Sequence, residues 1–229
     1  MIQSMTAATL EAYERWAPIY PPTPHNPLMR AEQQAMLDRW PDVAGRRTLD
    51  LACGTGRYAR LLTESAAAHV VALDFCEPML QKASTAGRVR ASMMHLPFVG
   101  SAFDVVISGL ALSHAPSVQD WMTEIARVLG PDGSLLYSDF HPDAARAGLT
   151  RSFKDVNRRT CTVPHRCYSK DSQIGAAAQA GLTVETVHEV RVGFELREPF
   201  AKSEEFYRLW HGLPIVLVVG ARKKQGCLL

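Results

Sequence analysis

Apolar positions recur along this chain in two rhythms. Short apolar runs at about 47–52, 69–73, 88–92, 103–108 and 134–139 read as strands. Helical stretches separate the later ones, and strands that alternate with helices predict a parallel sheet covered on both faces. The clearest helical period spans 118–129, where Val118, Trp121, Met122, Ile125, Val128 and Leu129 share one face. Ser117 is placed to cap its start, Gly130 to end it, and Pro131 blocks extension. Ser169 opens a further helix that Gly181 closes, and apolar runs near 183–194 and 214–221 supply the last two strands.

The first 46 residues precede this pattern. A helix is expected over 5–16, followed by the proline-rich break Tyr20-Pro21-Pro22-Thr23-Pro24-His25-Asn26-Pro27. Asn26 suits an N-cap and Pro27 the first helical position, so a second helix should run from about 27 to 39 and stop at Trp40-Pro41. The expectation is a single domain over 1–229, with an N-terminal helical lid (1–46), a cofactor-binding core (47–140), a substrate-side insertion (141–170) and C-terminal helices and strands (171–229). Segment 151–170 sets Arg151, Lys154, Arg158, Arg159, Arg166 and Lys170 against one acid, Asp155. It reads either as a solvated hairpin or as an electropositive rim for an anionic acceptor.

Composition narrows the classes. A chain of 229 residues, 47% hydrophobic and 21% charged, is an ordinary globular α/β domain with a full-sized core. A net charge of +2 argues for neither nucleic acid nor a membrane surface as partner. The longest apolar span, 213–221, is too short to cross a bilayer, and the N-terminus has no basic start leading into an apolar stretch, so no membrane anchor or signal peptide is expected. Five cysteines form no CxxC, which fits a reduced cytoplasm. The ending Gly226-Cys227-Leu228-Leu229 is not a prenylation box. Cys161, His165 and Cys167 lie too close together for a zinc site, so no metal is expected.

The chemistry concentrates in Leu49-Asp50-Leu51-Ala52-Cys53-Gly54-Thr55-Gly56-Arg57, a buried strand that turns through glycines into a helix. Asp74 follows at the end of the next apolar run, where a carboxylate can grip ribose hydroxyls. The pair points to a nucleoside-type cofactor at the carboxyl edge of the sheet. Asp50 disfavours a pyrophosphate and favours an ammonium group, and no lysine or serine follows the glycines as a P-loop requires. S-adenosylmethionine offers that ammonium, a sulfonium and a ribose.

Asp50-Leu51-Ala52-Cys53-Gly54-Thr55-Gly56 resembles motif I of the class I S-adenosylmethionine-dependent methyltransferases, with Ala52 in place of the usual first glycine. Leu73-Asp74-Phe75-Cys76-Glu77-Pro78-Met79-Leu80, Leu96-Pro97-Phe98, Phe103-Asp104-Val105-Val106-Ile107-Ser108 and Gly130-Pro131-Asp132-Gly133 resemble the motifs that follow. The resemblance implies a Rossmann-like, doubly wound, mostly parallel seven-stranded sheet with an antiparallel last strand. It also implies donor contacts from Asp50, Ala52, Cys53, Gly54, Gly56 and Ser108, ribose binding by Asp74, and adenine contacts from Phe75 and Met79. Where many relatives carry an acid for the adenine amino group this chain has Ser92, with Met93 placed to pack on the ring. Tyr13-Glu14-Arg15-Trp16-Ala17-Pro18-Ile19-Tyr20 resembles the lid of the ubiquinone- and biotin-pathway branch, which implies that Tyr13 and Tyr20 contact donor or acceptor.

Methyl transfer from a sulfonium is an in-line displacement that needs alignment above all, and an acceptor already ionised needs no base. His114, His141 and His165 all belong on the carboxyl edge and are the candidate bases, beside a bland reading as capping or packing residues. The expected acceptor is a small molecule, with an anionic or acyl-carrier-linked one as the form the basic segment would suit, and the sequence leaves the accepting atom open among oxygen, nitrogen, carbon and sulfur. Two other readings stay open. Gly54-Thr55-Gly56-Arg57-Tyr58-Ala59 also satisfies the GxGxxA of nicotinamide-dependent oxidoreductases. A homologue that binds the donor without transferring methyl would keep every motif.

Overall fold

The computed structural model describes residues 7–196 and 204–224. The first two residues of the helix expected over 5–16, and the ending 226–229, lie outside the described residues. Seven strands form one sheet: β1 (Arg47–Leu51), β2 (His69–Asp74), β3 (Gly87–Arg90), β4 (Phe103–Gly109), β5 (Leu129–Phe140), β8 (Leu182–Arg191) and β9 (Pro214–Lys223). Their order is β3-β2-β1-β4-β5-β9-β8. The first five run parallel, and β9 lies antiparallel to both β5 and β8. The expected Rossmann-like sheet with an antiparallel last strand is therefore present. The chain reverses its direction of travel across the sheet between β1 and β4, which opens a crevice beyond their carboxyl ends.

Side chains leave a strand alternately up and down, so a sheet covered twice buries both sets. On one face Val106, Leu135, Tyr137, Leu217 and Val219 meet Trp121, Met122 and Ile125 of α5 (Val118–Val128) and Ala176 and Ala177 of α7 (Lys170–Gln179). On the other, Val105, Ile107, Leu136, Val216 and Val218 meet Ala35 and Met36 of α2 (Pro27–Leu37) and Tyr58 and Leu62 of α3 (Arg57–Glu64). Asn26 accepts the Met29 N–H as the expected N-cap, and Ser117 and Ser169 cap α5 and α7 in the same way. The edge strand β8 exposes Glu185 and Arg191, charges that discourage further strand pairing.

Three local expectations change. Gly130 does not end α5: Leu129 is already extended and begins β5, regular pairing with β4 starts at Ser134, and Asp132 (φ 58) makes the bend between them. α2 packs its apolar face into the core against the sheet, while its first residues, Pro27, Leu28 and Met29, reach the carboxyl edge. α1 (Ala7–Trp16) and the 3-10 turn Ala17–Ile19 overhang that edge, packing on Cys76 and Met79 and on Phe153 and Val163. The basic segment forms a hairpin of β6 (Ser152–Lys154) and β7 (Thr160–Thr162), but its first residue, Arg151, is 7% exposed rather than solvated. α4 (Glu77–Leu80), α6 (Pro142–Arg146) and α8 (Glu204–Trp210) complete the helices.

One buried acid ties α2 to the sheet. Glu32 is fully buried and accepts from Arg57 Nη2 at 2.7 Å, Tyr58 Oη at 2.7 Å and Ser138 Oγ at 2.5 Å. Removing one partner of a buried ion pair strands the other charge, at a cost of about 3–5 kcal/mol. Glu32→Ala is therefore expected to lose about that much stability, read as a lower denaturant midpoint with an unchanged slope.

Candidate active site

A cavity of about 290 Å³ opens at the carboxyl edge where β1 and β4 part. Its floor is the turn after β1. Ala52 (φ 56), Gly54 (φ 55) and Gly56 (φ 80) are all left-handed, a conformation that costs a residue with a Cβ about 1–2 kcal/mol. A Cβ on Gly54 would meet nothing within 4 Å, because it would project into open space, whereas one on Gly56 would strike Ala83 at 2.7 Å. Gly54 thus leaves room for a ligand against bare backbone, and Gly56 lets α3 pack.

Two carboxylates hold this turn. Asp74 accepts from Gly54 N at 2.7 Å and Cys76 N at 2.8 Å, joining the loops that follow β1 and β2. Asp50, 1% exposed, accepts from Ala59 N at 2.7 Å in the first turn of α3. Burial pushes Asp50 up to about 7, with the neighbouring Asp74 charge adding to the rise and the Ala59 N–H and Arg57 opposing it. Burial raises Asp74 as well, against the pull of the Cys76 and Gly54 amides. This end of the cavity concentrates negative charge.

The opposite end is positive. Arg151 lies in the wall, its guanidinium 4.7 Å over the Phe140 ring, and Nη1 donates to Leu110 O at 2.9 Å and Tyr13 Oη at 3.0 Å. The same Nη1 stands 2.6 Å from His114 Nε2, which is also 2.9 Å from Tyr13 Oη. A guanidinium only donates, so Nε2 carries the lone pair and the His114 proton sits on Nδ1. Burial, then the Arg151 charge, holds His114 well below its ordinary value. Its accepting nitrogen is engaged by Arg151 and Tyr13, which leaves it poorly placed to take a proton from an acceptor.

The cavity collects Asp50, Ala52, Cys53, Gly54, Asp74, Phe75, Met79, Ser92, Met93, Tyr13, Tyr20 and His114 in its lining. Gly56 and Ser108 lie outside that lining. Ser108 is buried and donates to Leu51 O at 2.9 Å, tying β4 to β1. His141 also lies outside. Its Nδ1 caps α6 by accepting from Asp143 N at 3.1 Å, and its Nε2 faces Glu189 at 3.6 Å. His165 faces the Val163 carbonyl through Nδ1 at 3.2 Å and tilts on Phe140, again outside the lining. Both are held below the usual histidine value, chiefly by burial. The geometry therefore gives His141 and His165 capping and packing roles rather than that of a base. Reading the sequence did not single out Arg151, Trp16 or Asp139. The one available signal was a charge at the end of a buried run, as in Ser138-Asp139-Phe140.

Fold and site together define a Rossmann-like domain with an acid-lined cavity at the carboxyl edge of its sheet. Residues 49–137 match the family model described as a methyltransferase domain. A malonyl-[acyl-carrier protein] O-methyltransferase of Enterobacter lignolyticus is 33% identical over 141 residues, 60% of this chain and 55% of that one. A demethylmenaquinone methyltransferase of Lactiplantibacillus plantarum is 40% identical over 106 residues, 41% of this chain and 45% of that one. The chain spans about half the length of these curated relatives. An S-adenosylmethionine-dependent methyltransferase from Mesorhizobium loti has the same fold, with a TM-score of 0.67 and 26% identity over 84% of this chain and 98% of that one.

Two outcomes are expected from calorimetry with S-adenosylhomocysteine. Asp74→Ala should weaken binding by about 10–100-fold, the scale of one or two hydrogen bonds to a charged group. Asp50 holds its proton up to about 7 when folded and only to about 3.8 otherwise, so the ligand-free fold loses stability as pH rises between those values. An ammonium ligand needs the ionised form. Affinity should therefore fall up to about tenfold from pH 7 to 6 in the wild type, and Asp50→Asn should flatten that slope.

Proposed function

We propose that this chain is an S-adenosylmethionine-dependent methyltransferase whose acceptor is a small carboxylate. The observation that carries the reading is the polarity of the cavity: the buried carboxyl of Asp50 and the half-buried one of Asp74 at one end, and the buried guanidinium of Arg151 at the other. A cationic donor suits the first end and an anionic acceptor the second. The open space beside Gly54 fits an amino-acid moiety lying on bare backbone, and the two acids fit its ammonium and the ribose hydroxyls.

The bound donor supplies a methyl group already activated by the sulfonium charge. Asp50 and Asp74 hold its two ends, while Phe75, Met79 and Met93 offer apolar surface for a base. Arg151, braced by Leu110 O and Tyr13, holds the acceptor carboxylate facing them. Trp16 stacks on Phe153 with centroids 4.5 Å apart and closes the cavity beneath α1, excluding water. An oxygen–carbon bond forms as the carbon–sulfur bond breaks, and its electron pair stays on sulfur. A carboxylate releases no proton, which agrees with a His114 whose lone pair is already engaged. Alignment alone is worth about 7–11 kcal/mol. The nicotinamide reading fits less well, since Asp50 sets a carboxyl beside the glycine turn where a pyrophosphate would lie.

The relatives that act on malonyl-[acyl-carrier protein] support a carboxylate at the end of a carried acyl chain as one form of the acceptor. The test is transfer from methyl-labelled donor to short carboxylic acids and to malonyl thioesters. A methyl ester releases its label as volatile methanol in alkali, whereas label fixed on nitrogen or carbon does not, and non-volatile product would refute the carboxylate assignment. Arg151→Met should raise the acceptor KM about 10–100-fold, the worth of a charged hydrogen bond. Its affinity for S-adenosylhomocysteine should stay as in the wild type.

A further inference from the structure

Transfer to a carboxylate destroys two charges at once. A cation and an anion enter, and a thioether and an ester leave, both neutral at the reacting atoms. The acceptor end is then left with a buried guanidinium and no bound anion, which is costly in a low-dielectric wall. Resting on the carboxylate reading above, the remaining question is which group of the chain answers Arg151 at that moment.

Behind Arg151 lies a carboxyl that the reaction does not use. Asp139, near the end of β5, is 1% exposed and lies outside the cavity lining. Its Oδ1 has no hydrogen-bond partner among the described residues, and neither has Arg151 Nη2. A buried carboxylate oxygen and a buried guanidinium nitrogen, each without a hydrogen-bond partner among the described residues, are bracketed by the same neighbours. Arg151 lies 4.7 Å over the Phe140 ring and 2.6 Å from His114, while Asp139 precedes Phe140 and is flanked by Ser113, and the two charges make no direct ion pair. Each charge stabilises the other, and Ser113, on the 3-10 turn Leu112–His114, flanks the carboxyl. The other ionisable groups that sense Asp139 are the phenols of Tyr13, Tyr137 and Tyr168 and the thiol of Cys167. Burial raises each of them, so all four stay neutral between pH 5 and 8.

We propose that Asp139 is the internal counter-charge of Arg151, a positioning residue that answers the guanidinium whenever the acceptor's negative charge is absent. Asp139 then competes with the acceptor anion before transfer and replaces it afterwards. It loosens the hold on the substrate and spares the enzyme an unanswered charge in the product state. A purely structural acid would do neither.

The test uses the full chain with S-adenosylhomocysteine bound and malonate as the anionic probe. Asp139→Asn should bind malonate about tenfold more tightly than wild type at pH 7.5, as one unit of pKa coupling would give. Wild-type affinity should rise as pH falls through about 6, where burial places the Asp139 proton, and that rise should vanish in the variant. The coupling is also read without any acceptor. In carbon-13 spectra of labelled aspartate, Arg151→Met should move the Asp139 titration upward by about one unit, because it removes the charge that favours the carboxylate. An unmoved titration, or malonate binding equal or weaker in Asp139→Asn with its pH dependence intact, overturns the counter-charge role. A titration that moves while malonate binding is absent, or indifferent to Arg151→Met, overturns the carboxylate reading and this inference with it.

Discussion

Two carboxyls on one turn, Asp50 buried and Asp74 half-buried, impose the site's chemistry. A carboxylate taken out of water must be answered by donors or positive charge. In the protein alone, backbone amides answer part of that demand: Ala59 N–H for Asp50, and Gly54 and Cys76 N–H for Asp74. Those bonds also hold the left-handed backbone of Ala52, Gly54 and Gly56 in place. The Gly54 amide, which would face a phosphate in a nucleotide-binding turn, points at Asp74 instead. One arrangement thus shapes the floor, refuses a pyrophosphate and leaves a negative field that a cationic ligand relieves.

The positive end of the cavity is assembled from distant parts of the chain. Tyr13 comes from α1, Leu110 and His114 from the loop after β4, and Arg151 from the start of the hairpin. Each contact engages another polar group, so the guanidinium is braced before any ligand arrives. The lid is held by apolar packing, with Ala12, Tyr13 and Trp16 against Phe153 and Val163. Beneath it, Glu32 locks α2, α3 and β5 through Arg57, Tyr58 and Ser138. The sheet core thus carries the acid-lined turn, and the segments on either side of it bring the Arg151 cluster to the same cavity.

The three candidate histidines separate once the chain is folded. His141 is spent as a helix cap, and His165 turns to a backbone carbonyl. His114 reaches the cavity, but its lone pair is already engaged by Tyr13 and Arg151. An ionised acceptor asks for no base, so the carboxylate reading is consistent with all three placements.

The order of strands, the glycine turn and the Asp50–Asp74 pair were legible in the sequence because local chemistry sets them. Apolar runs mark buried strands, glycines mark positive φ, and acids at strand ends fall on the carboxyl edge whatever else the chain does. The extent of the lid, the burial of Arg151 and the role of each histidine were not legible. Arg151 stands among other basic residues that remain solvated, and nothing local separates it from Arg158 or Arg159, which are exposed. The packing of α1, the loop after β4 and Phe140 around the start of the hairpin takes that cation out of water. Sequence determined the acid-lined glycine turn at the carboxyl edge; tertiary contact decided what faces it, because burial is a property of neighbours that the chain brings together only when it folds.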